Sequence, residues 1–196
     1  MSVTIRHMNL QNYDDAVLSV VFTRSCEWFN VAPETPSISP SVSVNWKSRI
    51  IDSCGEILYA TPCLDNHENE KSSLSEPLAV LGFLISYLKD ANDSSSRHIW
   101  IAATNPGVLR SGIMTMLLER IESSHDASFS SSSSVYNDSV CPVLTINTYP
   151  KKFPVMYKLL EKRGYVLLCT IPSSKEGESG DDGPKNCYER RVMVKE

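Results

Sequence analysis

The sequence predicts a single α+β domain built on a mixed sheet, and three observations carry that prediction. The chain has 196 residues, enough for one ordinary core and too few for two comfortable ones. Stretches that alternate apolar and polar residues interleave with stretches whose apolar residues recur at helical spacing, giving roughly seven strands and four helices in mixed order. With 41% hydrophobic and 21% charged residues, the composition is that of a globular protein and excludes a disordered or fibrous class.

The elements follow in chain order. Val3-Thr-Ile-Arg-His-Met-Asn9 alternates and is rich in β-branched residues, so it predicts a strand. Asp14 to Phe29 places Val17, Val20, Val21 and Cys26 at helical spacing and predicts a helix. Pro33, Pro36 and Pro40 interrupt the pattern, after which Ser41 to Ser53 predicts a second helix bearing Val44, Ile50 and Ile51 and stopped by Gly55. Glu56 to Thr61 reads as a short strand, residues 64–76 as a solvated polar loop, and Leu78 to Leu88 as a well-buried strand.

Asp90 to Ser96 is a turn, and His98 to Thr104 is a strand leading through Asn105-Pro106 into a helix from Arg110 to Ser123. Residues 124–139 contain the run Ser130 to Ser134 and predict a flexible surface loop. Val143 to Thr148 is a strand, and Phe153 to Arg163 is a helix closed by Gly164. Tyr165 to Ile171 is a strand, residues 173–186 a Gly- and acid-rich loop, and Cys187 to Val194 the final strand. No internal repeat is present, and residues 1–196 are expected to fold as one domain.

The formal net charge is −4, and no basic stripe runs through the chain. That balance argues against general nucleic-acid binding and suits a small neutral or cationic substrate. The six cysteines are scattered without a C-x-x-C pair, so neither a metal site nor a dense disulfide framework is expected. The first residues carry no apolar signal region, which predicts reduced thiols in the cytosol or nucleus. No apolar run approaches the roughly 20 residues needed to span a bilayer.

One segment has the chemistry of an anion site. Asn105-Pro-Gly-Val-Leu-Arg-Ser-Gly-Ile-Met114 joins a strand to a helix, and no acidic residue occupies the helix start. Backbone N–H groups there could converge on a pyrophosphate, with Gly112 allowing close approach. A purely structural role for that glycine stays open.

Pro106 followed six residues later by Gly112 and then Ile113 resembles the acetyl-CoA motif of the GNAT acetyltransferases, which runs Pro-x-x-Arg-x-x-Gly-x-Gly/Ala. Leu109 replaces the motif's Arg or Gln, and Met114 replaces its second small residue. Phe153-Pro-Val-Met-Tyr-Lys-Leu-Leu-Glu-Lys-Arg-Gly-Tyr165 is similar to the GNAT helix after strand five, and the order of elements matches along nearly the whole chain. The stretch looks most like a small-molecule branch of that family.

The resemblance implies a mostly antiparallel central sheet flanked by helices. It also implies acetyl transfer from acetyl-CoA, without a metal, to a primary amine of a small molecule or peptide. The protein would act as a monomer or homodimer, free of nucleic acid and membrane. The cofactor-binding residues it implies are Ala102, Ala103 and Thr104 through their backbone, Leu109 to Met114 (Leu109, Arg110, Ser111, Gly112, Ile113, Met114) around the pyrophosphate, and Asn147. It places the amine substrate near Trp28, Trp46, Tyr59 and Tyr87, although Trp28 and Trp46 could equally fill the core.

Direct attack of an amine on a thioester needs alignment, a proton acceptor and a proton donor for the thiolate. Leu160 stands where many GNAT enzymes carry the donor Tyr, so Tyr157, three residues earlier, is the substitute. His98 is the candidate base because its ordinary pKa suits the task, with Tyr149 and Glu56 as weaker candidates.

Overall fold

The computed structural model describes residues 2–29, 40–63, 78–90, 96–130, 143–172 and 184–191. Its strands are β1 (Val3–Met8), β2 (Glu56–Pro62), β3 (Gly82–Leu88), β4 (Ser96–Thr104), β5 (Val143–Thr148), β6 (Val166–Ile171) and β7 (Lys185–Arg191). Its helices are α1 (Asp15–Trp28), α2 (Pro40–Ile51), α3 (Ile113–Ser130) and α4 (Pro154–Lys162). The seven strands form one sheet in the order β1-β2-β3-β4-β5-β7-β6. Pairing is antiparallel between β1 and β2, β2 and β3, β5 and β7, and β6 and β7, and parallel between β4 and β5. This is the α+β, mostly antiparallel architecture that the sequence predicts.

The chain packs as two compact units. Unit 1 comprises Met1–Tyr87 with Ile101–Ile121, and unit 2 comprises Leu88–Trp100 with Glu122–Glu196.

In unit 1, Asp14 caps α1 by accepting a hydrogen bond from the Ala16 N–H at 2.8 Å. The helix buries Val17, Leu18 and Val21, and the core continues through Ile57, Phe83 and Leu117. A Cβ built on Gly82 would lie 2.7 Å from Ile113 Cγ2 and 3.1 Å from the Ala103 carbonyl oxygen. Only glycine at the first position of β3 lets the start of α3 seat this closely.

In unit 2, Ile99, Leu144, Ile146, Leu160 and Tyr188 form the core. The α4 helix ends in a Schellman motif: Gly164 is left-handed at φ +81, its N–H donates to the Glu161 carbonyl, and the Tyr165 N–H donates to the Leu160 carbonyl, both at 3.0 Å. The edge strand β6 is exposed along its whole length, including Val166, Leu167, Leu168 and Ile171.

Several boundaries differ from the sequence expectation. The helix expected from Arg110 begins at Ile113, because Arg110 (φ +65) and Gly112 (φ +83) are left-handed and cannot belong to a right-handed helix. That helix runs to Ser130 instead of ending at Ser123, so residues 124–130 of the expected 124–139 loop are helical. No Gly or Pro between Ile113 and Ser130 stops the ladder, and the serines do not break it. The strand expected from Leu78 begins at Gly82, although Val80 and Leu81 are buried.

The final strand, expected at Cys187 to Val194, starts at Lys185. The expected loop at 64–76, residues 173–183 of the loop expected at 173–186, and residues 131–139 lie outside the described residues, whereas Lys185 and Asn186 belong to β7. Among the described residues, no helix is long and apolar enough to cross a membrane, and no group of three or more His, Cys, Asp and Glu side chains could hold a metal.

Candidate functional site

The segment that follows β4 is held mainly by its own backbone. The Asn105 N–H donates to the Leu81 carbonyl at 2.9 Å, tying the turn to the residue before β3. Asn105 Oδ1 accepts from the Gly107 N–H at 2.8 Å, and the Val108 N–H returns to the Asn105 carbonyl at 3.0 Å, closing a 3₁₀ turn over Pro106–Val108. Pro106 suits that turn because its fixed φ is already helical and its missing N–H is not needed there.

The next four residues, Leu109 to Gly112, are exposed, and α3 begins with the buried Ile113. A Cβ on Gly112 would meet nothing within 4 Å, so this glycine is needed for its left-handed φ and not for a close protein contact. The first turn of α3 has no acidic residue, and its leading N–H groups have no partner within the helix. The segment can therefore receive an anion. Met114 is half-buried.

Before this turn, Ala103 is buried, while Ala102 and Thr104 are half-buried. The β4–β5 ladder runs from Ser96↔Val143 to Ile99↔Ile146, and β4 then continues to Thr104.

The four aromatic residues expected near a substrate all belong to unit 1, but they divide into two kinds. Trp46 and Tyr59 are buried, and Trp46 meets Phe22 edge-on with ring centroids 5.0 Å apart, so these two fill the core. Trp28 stacks on Phe83 at 5.5 Å, and Tyr87 lies under the Arg49 guanidinium at 4.8 Å; both are half-buried.

His98, Tyr149, Tyr157 and Asn147 belong to unit 2, and Glu56 belongs to unit 1. His98 is only 6% exposed, and its Nδ1 is 2.8 Å from the hydroxyl of Thr145, its ladder partner on β5. Asn147 is half-buried and stands opposite Cys187 of β7. Tyr149 follows β5, and its carbonyl accepts from the Lys152 and Phe153 N–H groups, shaping the entry to α4.

Tyr157 lies on α4 with its ring 6.1 Å from that of Tyr188. Its hydroxyl is hydrogen-bonded to Glu161 one turn later, which pushes the phenol above its ordinary pKa and keeps it protonated. Leu160, at the position where the resemblance expects a Tyr, is 0% exposed.

Two polar clusters were not assembled by sequence reasoning. Glu56 accepts from the Ser86 hydroxyl at 3.1 Å and pairs with His7 Nε2 at 2.7 Å, so the weaker base candidate sits among partners from β1 and β3. In unit 2, the Glu122 carboxylate takes both Arg163 and Arg190, and also accepts from the Tyr165 hydroxyl at 3.3 Å. Burial first, and then the Glu122 charge, push the Tyr165 phenol well above its ordinary pKa. These partners are distant in sequence and leave no short-range signal.

No family model and no curated protein matches the sequence. Solved structures do. An acetyltransferase of the GNAT family from Staphylococcus aureus superposes with a TM-score of 0.57 at 13% identity, covering 98% of this chain and 100% of its own. Arabidopsis thaliana NAA60, in complex with a bisubstrate analogue, gives 0.58 at 11% identity, covering 98% and 100%. The ribosomal-protein-S18-alanine N-acetyltransferase of Escherichia coli gives 0.57 at 12% identity, covering 100% and 97%. Helix count, strand order and these superpositions agree: the chain has the GNAT fold.

Proposed function

We propose that the protein is an acetyl-CoA-dependent N-acetyltransferase acting on a primary amine of a small molecule or peptide. The observation that carries this reading is the continuation of β4 past its ladder with β5, followed through the Asn105–Gly112 turn by the acid-free start of α3. A strand end of this kind can pair with the amides of a pantetheine arm, and the helix start can take the pyrophosphate that follows. Two proteins with the same fold support the direction of the reading, NAA60 by its complex with a bisubstrate analogue and the Escherichia coli protein by being a ribosomal-protein-S18-alanine N-acetyltransferase.

In this reading Ala102 to Thr104 orient the donor, and Leu109 to Met114 cradle its phosphates. The amine nitrogen attacks the thioester carbonyl, the carbon–sulfur bond breaks, a base takes the ammonium proton, and the thiolate takes one back. Tyr157 is the proposed acid from its place on α4, and its hydrogen bond to Glu161 works against it, because a phenol held above its ordinary pKa gives up its proton less readily. His98, Tyr149 and Glu56 are the proposed bases. His98 is the most enclosed of the three, and the Thr145 hydroxyl 2.8 Å from its Nδ1 offers one route for the proton. Trp28 and Tyr87 are the aromatics an amine could reach.

A second reading, acyl-CoA binding without turnover, draws on one observation: Leu160 is sealed in the core where an acid is expected.

Calorimetric titration with acetyl-CoA tests donor binding. Saturable binding is expected in the parent chain, and Gly112→Glu should abolish it by setting a carboxylate against the pyrophosphate; equal affinity in both sinks the site assignment. A thiol-release screen over polyamines, amino acids, arylamines and peptides then separates the two readings, because binding without any released CoA favours the second.

A further inference from the structure

Five cysteines among the described residues are free thiols, and two of them face each other. Cys169 of β6 and Cys187 of β7 are direct partners across an antiparallel ladder, just past a register irregularity between Leu167 and Cys169. Antiparallel partners have Cα atoms about 4.5 to 5.5 Å apart, inside the range of about 4.4 to 6.8 Å that a disulfide spans. The two thiols are also hydrogen-bonded to each other. Cys169 is exposed on the sheet edge, whereas Cys187 is half-buried.

We propose that Cys169 and Cys187 form a redox-active dithiol that closes to a cross-strand disulfide when it meets a low-molecular-weight disulfide such as oxidised glutathione. The exposed Cys169 is the sulfur that an incoming disulfide reaches first. As thiolate, it attacks one glutathione sulfur, the glutathione S–S bond breaks, and one reduced glutathione leaves with the proton that Cys169 gave up.

Cys187 then attacks the Cys169 sulfur of this mixed disulfide, forming the protein S–S bond and expelling the second glutathione with the Cys187 proton. The protein loses two electrons and two protons, and glutathione disulfide gains them. Burial, followed by the bond to Cys169, pushes the Cys187 thiol up, which suits a resolving cysteine that stays protonated until its neighbour is modified. Lys185 and Lys89 act in the opposite direction on the same sulfur and favour its ionisation when it attacks. None of this requires acyl transfer. It does place oxidation chemistry one strand from Asn147, the partner of Cys187 on its other side.

The test uses the full chain equilibrated in glutathione buffers of increasing oxidised fraction, quenched with acid, alkylated and digested with trypsin. The expected product is the peptide 164–175 joined to the peptide 186–190, two hydrogens lighter than their sum, appearing before any link that involves Cys26, Cys54, Cys63 or Cys141. In Cys187→Ser, Cys169 should instead accumulate as the mixed disulfide with glutathione, because the resolving thiol is gone. The proposal fails if Cys169 of the parent chain stops at the mixed disulfide. It also fails if Cys169 and Cys187 remain fully alkylated in a buffer that oxidises Cys54 and Cys63, or if either of them links to Cys141.

Discussion

In the Asn105–Gly112 turn, shape is kept by main-chain hydrogen bonds, one Asn side chain and two left-handed residues, while Leu109 to Gly112 stand in solvent. Around Glu122, by contrast, shape is kept by side chains: one carboxylate, 8% exposed, holds two guanidinium groups and a phenol from the α4–β6 connection and β7. The difference has a physical reason. The turn commits the Asn105, Gly107, Val108 and Ser111 N–H groups to the protein, and only those that open α3 stay available for the proposed ligand. A node that holds a fold together can spend every polar group on the protein itself.

Substitutions sharpen this contrast. The largest effect is expected from Glu122→Ala, which leaves Arg163 and Arg190 partly buried without their carboxylate. It should cost about 3 kcal/mol in urea unfolding; a loss below about 1 kcal/mol would mean the node is a surface decoration. Gly82→Ala comes next, at about 2 kcal/mol, because the new methyl meets Ile113 and the Ala103 carbonyl with no room to yield. If the start of α3 holds the donor as proposed, affinity for acetyl-CoA should fall as well, since α3 would be displaced at its first residue, and unaltered affinity would separate helix seating from binding.

Tyr165→Phe probes the node through pH. The folded phenol is held above its unfolded pKa, which is about 10, so the stability it contributes is fully present below pH 10 and is lost as pH rises through the folded value. Above pH 10 the parent chain should lose about 1.4 kcal/mol of stability per pH unit through this group. The Phe variant should show a slope shallower by that amount, and matching slopes would place the phenol in water.

The smallest effect belongs to the turn. Gly112→Ala should cost about 1 kcal/mol for its left-handed φ alone, with Gly112→Asn recovering part of it. A cost above about 3 kcal/mol would show that the turn is packed like the node.

The same contrast governs what could be read from the sequence. The strand Val143–Thr148 agrees with expectation at both ends, and α4 with its Gly164 cap agrees within one residue, because periodicity and a left-handed glycine are local signals. The start of α3 was misplaced by three residues because Arg110 carries no mark of its left-handed conformation. The end of α3 was misplaced because a serine-rich composition resembles a loop even where the helical ladder continues. Tyr59, expected near the substrate, and Trp46, for which the sequence leaves pocket and core open, both lie in the core, since exposure is a property of packing and not of residue type. The Glu122 cluster, drawn from residues 41 to 68 positions apart, was invisible for the same reason.

One topological detail reaches beyond the finished structure. In the sheet order β5-β7-β6, the strand latest in chain order lies between two that precede it. While the chain is being synthesised, β5 must wait for its antiparallel partner, and β6 has no neighbour at all until residues 185–191 have left the ribosome. β6 is uncharged, Val-Leu-Leu-Cys-Thr-Ile, and even once β7 has paired with one side of it, its other side stays open to a further strand.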